Sequence, residues 1–478
     1  MKINFNNVVM ILKNDFMKLN NYYSLPKIFQ IFLFSFLVTI CCSCKKYLDK
    51  TPNDKLSVPS SLEDLQRLMD DAVSMNNATV NMGEASSDDY FWTNDMYDAL
   101  DLIDRHAYTW IYDDYNFGSD WSYSYLPVFN SNFCIESIQK IQKTGLNKTM
   151  WDNVIGSALF FRAYHFYNLA GVYGKAYDVN SYEKDLGIVL RLNSDFNIPS
   201  LRASIKDTYA QIIKDAEESI GYLPEQPQHA LRPSKPAAYG LLARCYLSMR
   251  LYDDAYKYAD LCLKLKSSLI NFNGDPDISI NANAPFTKFN KETIFYTNTS
   301  GFRKLYAATF ALADTNLYVS FKPGDLRKAA YFAPSGKYFK FKGNYTGSAS
   351  LYFSGIAVDE MLLIRAECAA RAGKLTEAMA DLNLLLISRW DKNTLYVPVS
   401  AGNAKEATDI ILAERRKELL FRSIRWTDIK RLNKENYNII PKRVVKGTAY
   451  TLEPNEGRYA MPLPKDIIDI TGMPQNQY

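Results

Sequence analysis

Histidine is the scarcest chemistry in this chain of 478 residues: there are only three, His106, His165 and His229. None has a His or Cys at metal-ligand spacing, which removes the common zinc patterns. No glycine-rich phosphate loop and no nucleophile elbow appears, so nucleotide and serine-hydrolase chemistry lose their usual marks. Net charge is also lacking. Lys and Arg number 56 against 52 Asp and Glu, a balance of +4 that gives no electrostatic footprint for nucleic acid. Cysteine is thin as well. Of seven, Cys41, Cys42 and Cys44 crowd one short segment, while Cys134, Cys245, Cys262 and Cys368 fall within helical patterns. Buried free thiols are expected at those four, and not a disulfide framework.

What is abundant is aromatic. Phe, Trp and Tyr make up 14% of the chain, with 34 tyrosines. A tyrosine offers a flat apolar face with a polar tip, which suits sugar faces and wet interfaces, although aromatic packing between helices uses the same residues.

The N-terminal segment reads as a secretory signal. Lys18 and Lys27 precede an apolar run from Ile28 to Ile40, too short for a spanning helix, and Ser43 stands before Cys44. Cys44 resembles the acceptor of a bacterial lipoprotein signal, with Cys41 where such signals usually carry Leu. Translation is expected to start at Met17. The Cys41–Cys44 spacing of a redox or metal pair is set aside because it ends an apolar run. The expected organisation is a signal peptide over residues 1–43, a polar, Pro-containing tether over 44–60, and a single helical domain over 61–478. Without residues 1–43 the chain carries 52 basic and 51 acidic residues.

Periodicity predicts helices over Leu62–Met75, Met150–Tyr173, Ser204–Leu223 and Thr408–Phe421. In the second, Ile155, Leu159, Ala163, Phe166, Ala170 and Tyr173 form one stripe ended at Gly174. In the third, Tyr209, Ile212, Ile213, Ala216 and Ile220 form another, with Ser204 and Asp207 at capping-box spacing and Pro224 beyond. An internal repeat follows. Tyr239, Ala243, Tyr246, Tyr252, Ala255 and Ala259 align, at one constant offset, with Leu362, Ala366, Ala369, Leu375, Ala378 and Leu382. Small residues stand where two helices of a tetratricopeptide hairpin approach closely, which predicts hairpins at about 236–266 and 358–389. The fold class is therefore all-α, tetratricopeptide-like helical hairpins with long irregular insertions. The insertions are expected at about Gly83–Ser124 and Asn271–Gly355, long enough to be functional.

Several blocks, in order, resemble the SusD/RagB-like family of nutrient-binding outer-membrane lipoproteins. They are Lys45-Lys46-Tyr47-Leu48-Asp49 after Cys44; Trp121, Tyr125 and Asn132; Arg162-Ala163-Tyr164-His165-Phe166-Tyr167-Asn168-Leu169 with Tyr173-Gly174; and Arg232-Pro233-Ser234-Lys235-Pro236-Ala237-Ala238 with Gly240-Leu241-Leu242-Ala243-Arg244. Further along come Glu414-Arg415-Arg416-Lys417-Glu418-Leu419, Arg425-Trp426-Thr427-Asp428-Ile429-Lys430-Arg431, Met461-Pro462-Leu463-Pro464 and Gln475-Asn476-Gln477-Tyr478. The resemblance implies lipidation at Cys44, a place on the cell-surface side of the outer membrane, and a TonB-dependent transporter barrel (SusC-like) as partner. It implies a glycan or oligosaccharide ligand, no cofactor and no catalysis.

It also implies that a ligand is met by an arc of aromatic planes from the two insertions. The first offers Asp89-Tyr90-Phe91-Trp92-Thr93-Asn94; the second offers Phe302-Arg303, Tyr306, Phe310 and Tyr318. Trp92, Asn94, Phe302, Tyr306 and Tyr318 are the candidate ligand-binding residues, while Trp110 and Trp121 are expected in the core. Glu414 and Glu418, one helical turn apart, have the spacing of an acid/base pair, but their basic neighbours favour ion pairing or surface solvation. Asp88-Asp89 and Asp113-Asp114 lack a spaced oxygen-ligand loop and are expected to be solvated. A peptide ligand of the RagB type, a lipid-anchored glycoside hydrolase and a protein-binding helical scaffold stand as alternatives.

Overall fold

The computed structural model describes residues 59–112, 118–299 and 311–478. Everything reported below belongs to the unit Ser60–Tyr478. Cys44, the signal segment, Asp113-Asp114, Phe302, Tyr306 and Phe310 lie outside the described residues.

The repeat forms as the alanine spacing requires. Its first hairpin joins helices Lys235–Met249 and Tyr252–Leu265, and its second joins Val358–Arg371 and Leu375–Ser388. Ala243, Ala255, Ala259, Ala366 and Ala378 are fully buried in the seams, where anything larger would hold the helices apart. Ser234 caps the first helix through Ala237 N–H, and Pro236 sits in its first turn, where no N–H is missed. The constant offset of the repeat extends to its turns. Arg250 (φ 64°) stands opposite Gly373 (φ 76°), so the first hairpin holds in an arginine the left-handed conformation that the second gives to glycine.

The helices stack side by side in a row. Gly118–Ile138 packs on Lys148–Tyr173, that on Ile205–Ile220, and so on through the first hairpin to Val358–Arg371, which meets both Leu375–Ser388 and Ala404–Glu418. Lys148–Tyr173 is buried on every side from Val154 to Tyr173, so it serves as the central pillar and not as a one-faced surface helix. Two of its polar members tie it to neighbouring segments. Arg162 makes a two-pronged pair with Asp215 at 2.7 and 2.8 Å and donates to Asn132 Oδ1, and His165 Nε2 lies 3.0 Å from the Met75 carbonyl. Burial pushes the His165 imidazole down to about 4, which keeps it neutral.

The four cysteines within the described residues are free and buried. Trp110 and Trp121 are core residues, as expected. Two helix expectations need correction. Leu62–Met75 is two helices, Leu62–Met69 and Ala72–Met75, because Asp71 turns its carboxylate onto the N–H groups of Val73 and Ser74 and starts a second cap. Neither insertion is free of helix: Met82–Ser86 reaches into Gly83–Ser124, which also holds Asn94–Asp98, Leu102–Tyr108 and the start of Gly118–Ile138, and Asn271–Gly355 holds Thr315–Val319 and Arg327–Tyr331. One- and two-turn helices are too short to show a 3.6-residue period.

Candidate functional site

The two insertions meet. Tyr90–Phe91 from the first pairs antiparallel with Leu312–Ala313 from the second, in the register Tyr90 with Ala313 and Phe91 with Leu312. Leu312 pairs in turn with Lys340 of strand Tyr338–Phe341, which forms a hairpin with Phe332–Ser335. The result is one four-stranded antiparallel sheet. Side chains alternate across it. Tyr90, Phe332 and Phe341 point into the core, where Phe341 and Tyr90 meet Phe421. Phe91, Tyr338 and Lys340 take the opposite face, and the half-exposed rings of Phe91 and Tyr338 touch edge to face with centroids 5.1 Å apart.

Arginines from the last part of the chain hold the first insertion in place. Arg425 grips Asp88 with two hydrogen bonds of 2.7 and 2.8 Å, and Arg416 bonds Asp89 Oδ1 at 3.0 Å and the Asp88 carbonyl at 2.9 Å. Arg443 lies against the rings of Tyr90, Tyr108 and Trp110 and donates to the carbonyls of Ser87 and Tyr90. Burial pushes the Asp88 carboxyl up, but the two guanidiniums more than reverse this and hold it well below the usual range. Asp89, 1% exposed, is pushed up by burial, which Arg416 only partly offsets. The expectation that this acidic pair is solvated is thus corrected. Next to it, Glu84 is buried and takes N–H from Ser423 at 2.7 Å; burial, with the charge of Asp89, pushes its carboxyl up to about 8.

The candidate ligand-binding residues fare differently. Trp92 is only 5% exposed, so it offers no free stacking face, contrary to expectation; its main-chain N–H donates to the Tyr108 hydroxyl and fixes the backbone there. Its indole Nε1 is buried without a hydrogen-bond partner among the described residues. Asn94 is exposed at the start of Asn94–Asp98 and accepts the Lys446 main-chain N–H at 2.9 Å through Oδ1. Tyr318, on the short helix Thr315–Val319, is half-exposed and stacks on Phe339 at 3.7 Å, with the Lys328 ammonium 4.5 Å from its ring centre. A ring stacked that closely has one face filled, so the lysine lies over the other, and this flexible cover is worth about 0.5–1 kcal/mol at an exposed position. Phe91 and Tyr338 were not among the expected residues. Strand alternation would have flagged Phe91, but a two-residue strand gives no pattern to read.

Acid/base chemistry is not what Glu414 and Glu418 are arranged for. Arg327 bonds Glu414 at 2.6 Å and Glu418 at 3.0 Å, Arg389 bonds Glu418 at 2.9 Å, and Lys417 bonds Glu414 at 2.8 Å. The pairing half of the expectation holds and the solvation half does not: Glu418 is buried, and Arg389 reaches on to Glu292 at 3.0 Å. Among the described residues no group of three or more His, Cys, Asp and Glu is placed to hold a metal ion, and no helix is long and apolar enough to cross a membrane.

Two family models match this chain. One, described as starch-binding and associating with the outer membrane, matches residues 46–247, and the other, the SusD family, matches residues 307–476. No curated protein matches it. Solved structures share its fold. A SusD superfamily protein from Bacteroides thetaiotaomicron is 19% identical, with a TM-score of 0.70 over 87% of this chain and 100% of that one. Another, from Bacteroides fragilis, is 20% identical, with a TM-score of 0.69 over 88% and 99%. A surface glycan-binding protein A from Bacteroides uniformis is 15% identical, with a TM-score of 0.64 over 87% and 99%. With both models falling in order along most of its length, the chain belongs to the SusD/RagB-like family.

Proposed function

We propose that this protein is a non-catalytic glycan-binding lipoprotein, anchored through Cys44 at the outer surface of the outer membrane, that passes its ligand to a TonB-dependent transporter barrel. The observation that carries the reading is the sheet joining the two insertions, with Phe91 and Tyr338 half-exposed on its outer face, while Tyr318, under a movable lysine, packs at the edge of the other face against Phe332 and Phe339. Flat aromatic faces meet the C–H faces of sugar rings, and neighbouring amides and ammonium groups meet their hydroxyls. Asn94 supplies one such amide and Lys340 one such ammonium. Phe302 and Tyr306 extend the arc in this proposal. Trp92, buried together with its N–H, enters it as a support, no longer as a platform.

The family description and the name of the Bacteroides uniformis relative both favour a glycan. Affinity electrophoresis of the lipid-free chain in gels containing starch, xylan, mannan or β-glucan tests this, with retardation by at least one expected. Release of reducing ends would contradict the non-catalytic reading. Incorporation of an alkyne-labelled fatty acid, lost in Cys44→Ala, tests the anchor, and co-purification of a barrel with the membrane-extracted protein tests the partner.

A further inference from the structure

A second groove lies elsewhere on the domain and shares no residue with the sheet. It has a volume of about 700 Å3, within the range of about 300–1,000 Å3 typical of ligand clefts. Three parts of the chain frame it: the start of Lys148–Tyr173, the connection between Ile205–Ile220 and Lys235–Met249, and Gln66 on Leu62–Met69.

A belt of hydrogen bonds runs through it. Asn153 donates to Gln66 Oε1 at 2.7 Å, Gln66 donates to Asp70 at 3.1 Å, Arg232 clasps Asp70 at 2.6 and 2.7 Å, and Arg232 also donates to Gln228 Oε1. The belt fixes the side chains but does not exhaust them. Asn153 Oδ1, Gln228 Nε2 and the whole carboxamide of Gln226 make no hydrogen bond among the described residues, so these acceptors and donors remain open to an incoming group.

Among the ionic members of the groove, Arg232 pairs with Asp70, and Asp152 is shared by Lys148 at 2.7 Å and Lys143 at 2.5 Å. Every carboxylate is engaged and both lysines are held on one aspartate, so this groove, rich in carboxamides, offers no free carboxylate to a cation and only one ammonium in excess to an anion. It suits a neutral ligand with many hydroxyls, because a carboxamide can accept from one hydroxyl and donate to the next. Leu146, Met150 and the half-exposed Tyr222 ring add apolar surface, as the C–H face of a sugar requires. Tyr222 is steadied by Trp151, 6.1 Å away, and by the Lys143 ammonium between them.

We propose that this groove is a second saccharide-binding site, recognising a short stretch of neutral sugar through Gln226, Gln228 and Asn153 against the Leu146–Met150–Tyr222 wall. The inference rests on the glycan reading above. Two sites on one chain would hold a polymer longer than either alone, since the second contact forms at high effective concentration.

Hydroxyl-radical footprinting of the lipid-free chain reads both sites separately, at Met150 and Tyr222 for the groove and at Tyr338 for the sheet. The probes are maltoheptaose, cellohexaose, xylohexaose and mannohexaose, with casein peptides in parallel. One of the sugars is expected to protect Met150 and Tyr222 as well as Tyr338. In Gln228→Ala, and separately in Gln226→Ala, both at exposed positions, the concentration for half-protection of Met150 should rise about three- to tenfold, with Tyr338 protected as in the parent. Protection of Tyr338 alone would overturn the second site and leave the glycan reading intact. Protection of Met150 and Tyr222 alone would support the groove and overturn the sheet. Protection of Met150 by casein peptides and by no sugar would overturn the saccharide assignment, and no protection anywhere would overturn both the groove and the glycan reading.

Discussion

The repeat hairpins and the segment from Glu84 to Asn94 are held by opposite means. In the hairpins, helices close in sequence meet along seams of buried alanines. Between Glu84 and Asn94 local bonds, such as Ser87 to Glu84 and the Tyr90 hydroxyl to the Ala85 carbonyl, are joined by anchors from far along the chain. Arg416, Arg425 and Arg443, more than three hundred residues away in sequence, bind Asp88, Asp89 and two carbonyls of that stretch. A scaffold made of small-residue seams is robust and repetitive. A recognition segment pinned by a few charges can vary in sequence while its position stays fixed.

The comparison breaks most visibly at the charges buried inside the scaffold itself. Arg389→Met leaves Glu292 and Glu418 without a shared counter-ion, and urea denaturation should show a loss of about 3–5 kcal/mol. Next comes Arg425→Met. It should cost about 1.5–3 kcal/mol, the worth of a hydrogen-bonded charge, and hydrogen exchange should rise at residues 88–92 while the repeat hairpins stay protected. Ala259→Leu does the converse. Overpacking the hairpin seam should cost about 1–3 kcal/mol, with exchange rising in Tyr252–Leu265 and glycan retardation unchanged.

A change of pH sharpens the comparison further. The folded Glu84 carboxyl sits at about 8 against an ordinary 4.5, first through burial and then through Asp89. The folded state therefore keeps a proton that the unfolded chain releases, and the stability tied to it is present at low pH and lost as pH rises from about 4.5 to about 8. Glu84→Gln should flatten the fall in Tm across that window. A residual slope should remain from Asp359, which burial pushes up to about 7.

The scaffold was readable in the sequence because its signals are local. Ala243, Ala255, Ala366 and Ala378 announce close helix approach, Ser204 caps Ile205–Ile220, and Ser234 with Pro236 opens the first hairpin. The site was readable only in outline. Both insertions were located, but their union through Tyr90–Phe91 and Leu312–Ala313 rests on strands of two residues, which carry no period. Trp92 looked like a platform because a tryptophan in a polar loop has no visible neighbours in sequence; the Tyr108 hydroxyl that fixes its backbone is 16 residues on. Asp88 and Asp89 looked solvated because their arginine partners are 337 and 327 residues away.

If the two insertions present one aromatic surface, removing its two outer rings should release the glycan without unfolding the chain. Affinity electrophoresis of a Phe91→Ala, Tyr338→Ala double variant against the polysaccharide that retards the parent measures this directly. Retardation should fall at least tenfold in apparent affinity, about 1.4 kcal/mol, while Tm stays within a few degrees of the parent. Unchanged retardation by a folded double variant would show that the glycan is gripped elsewhere.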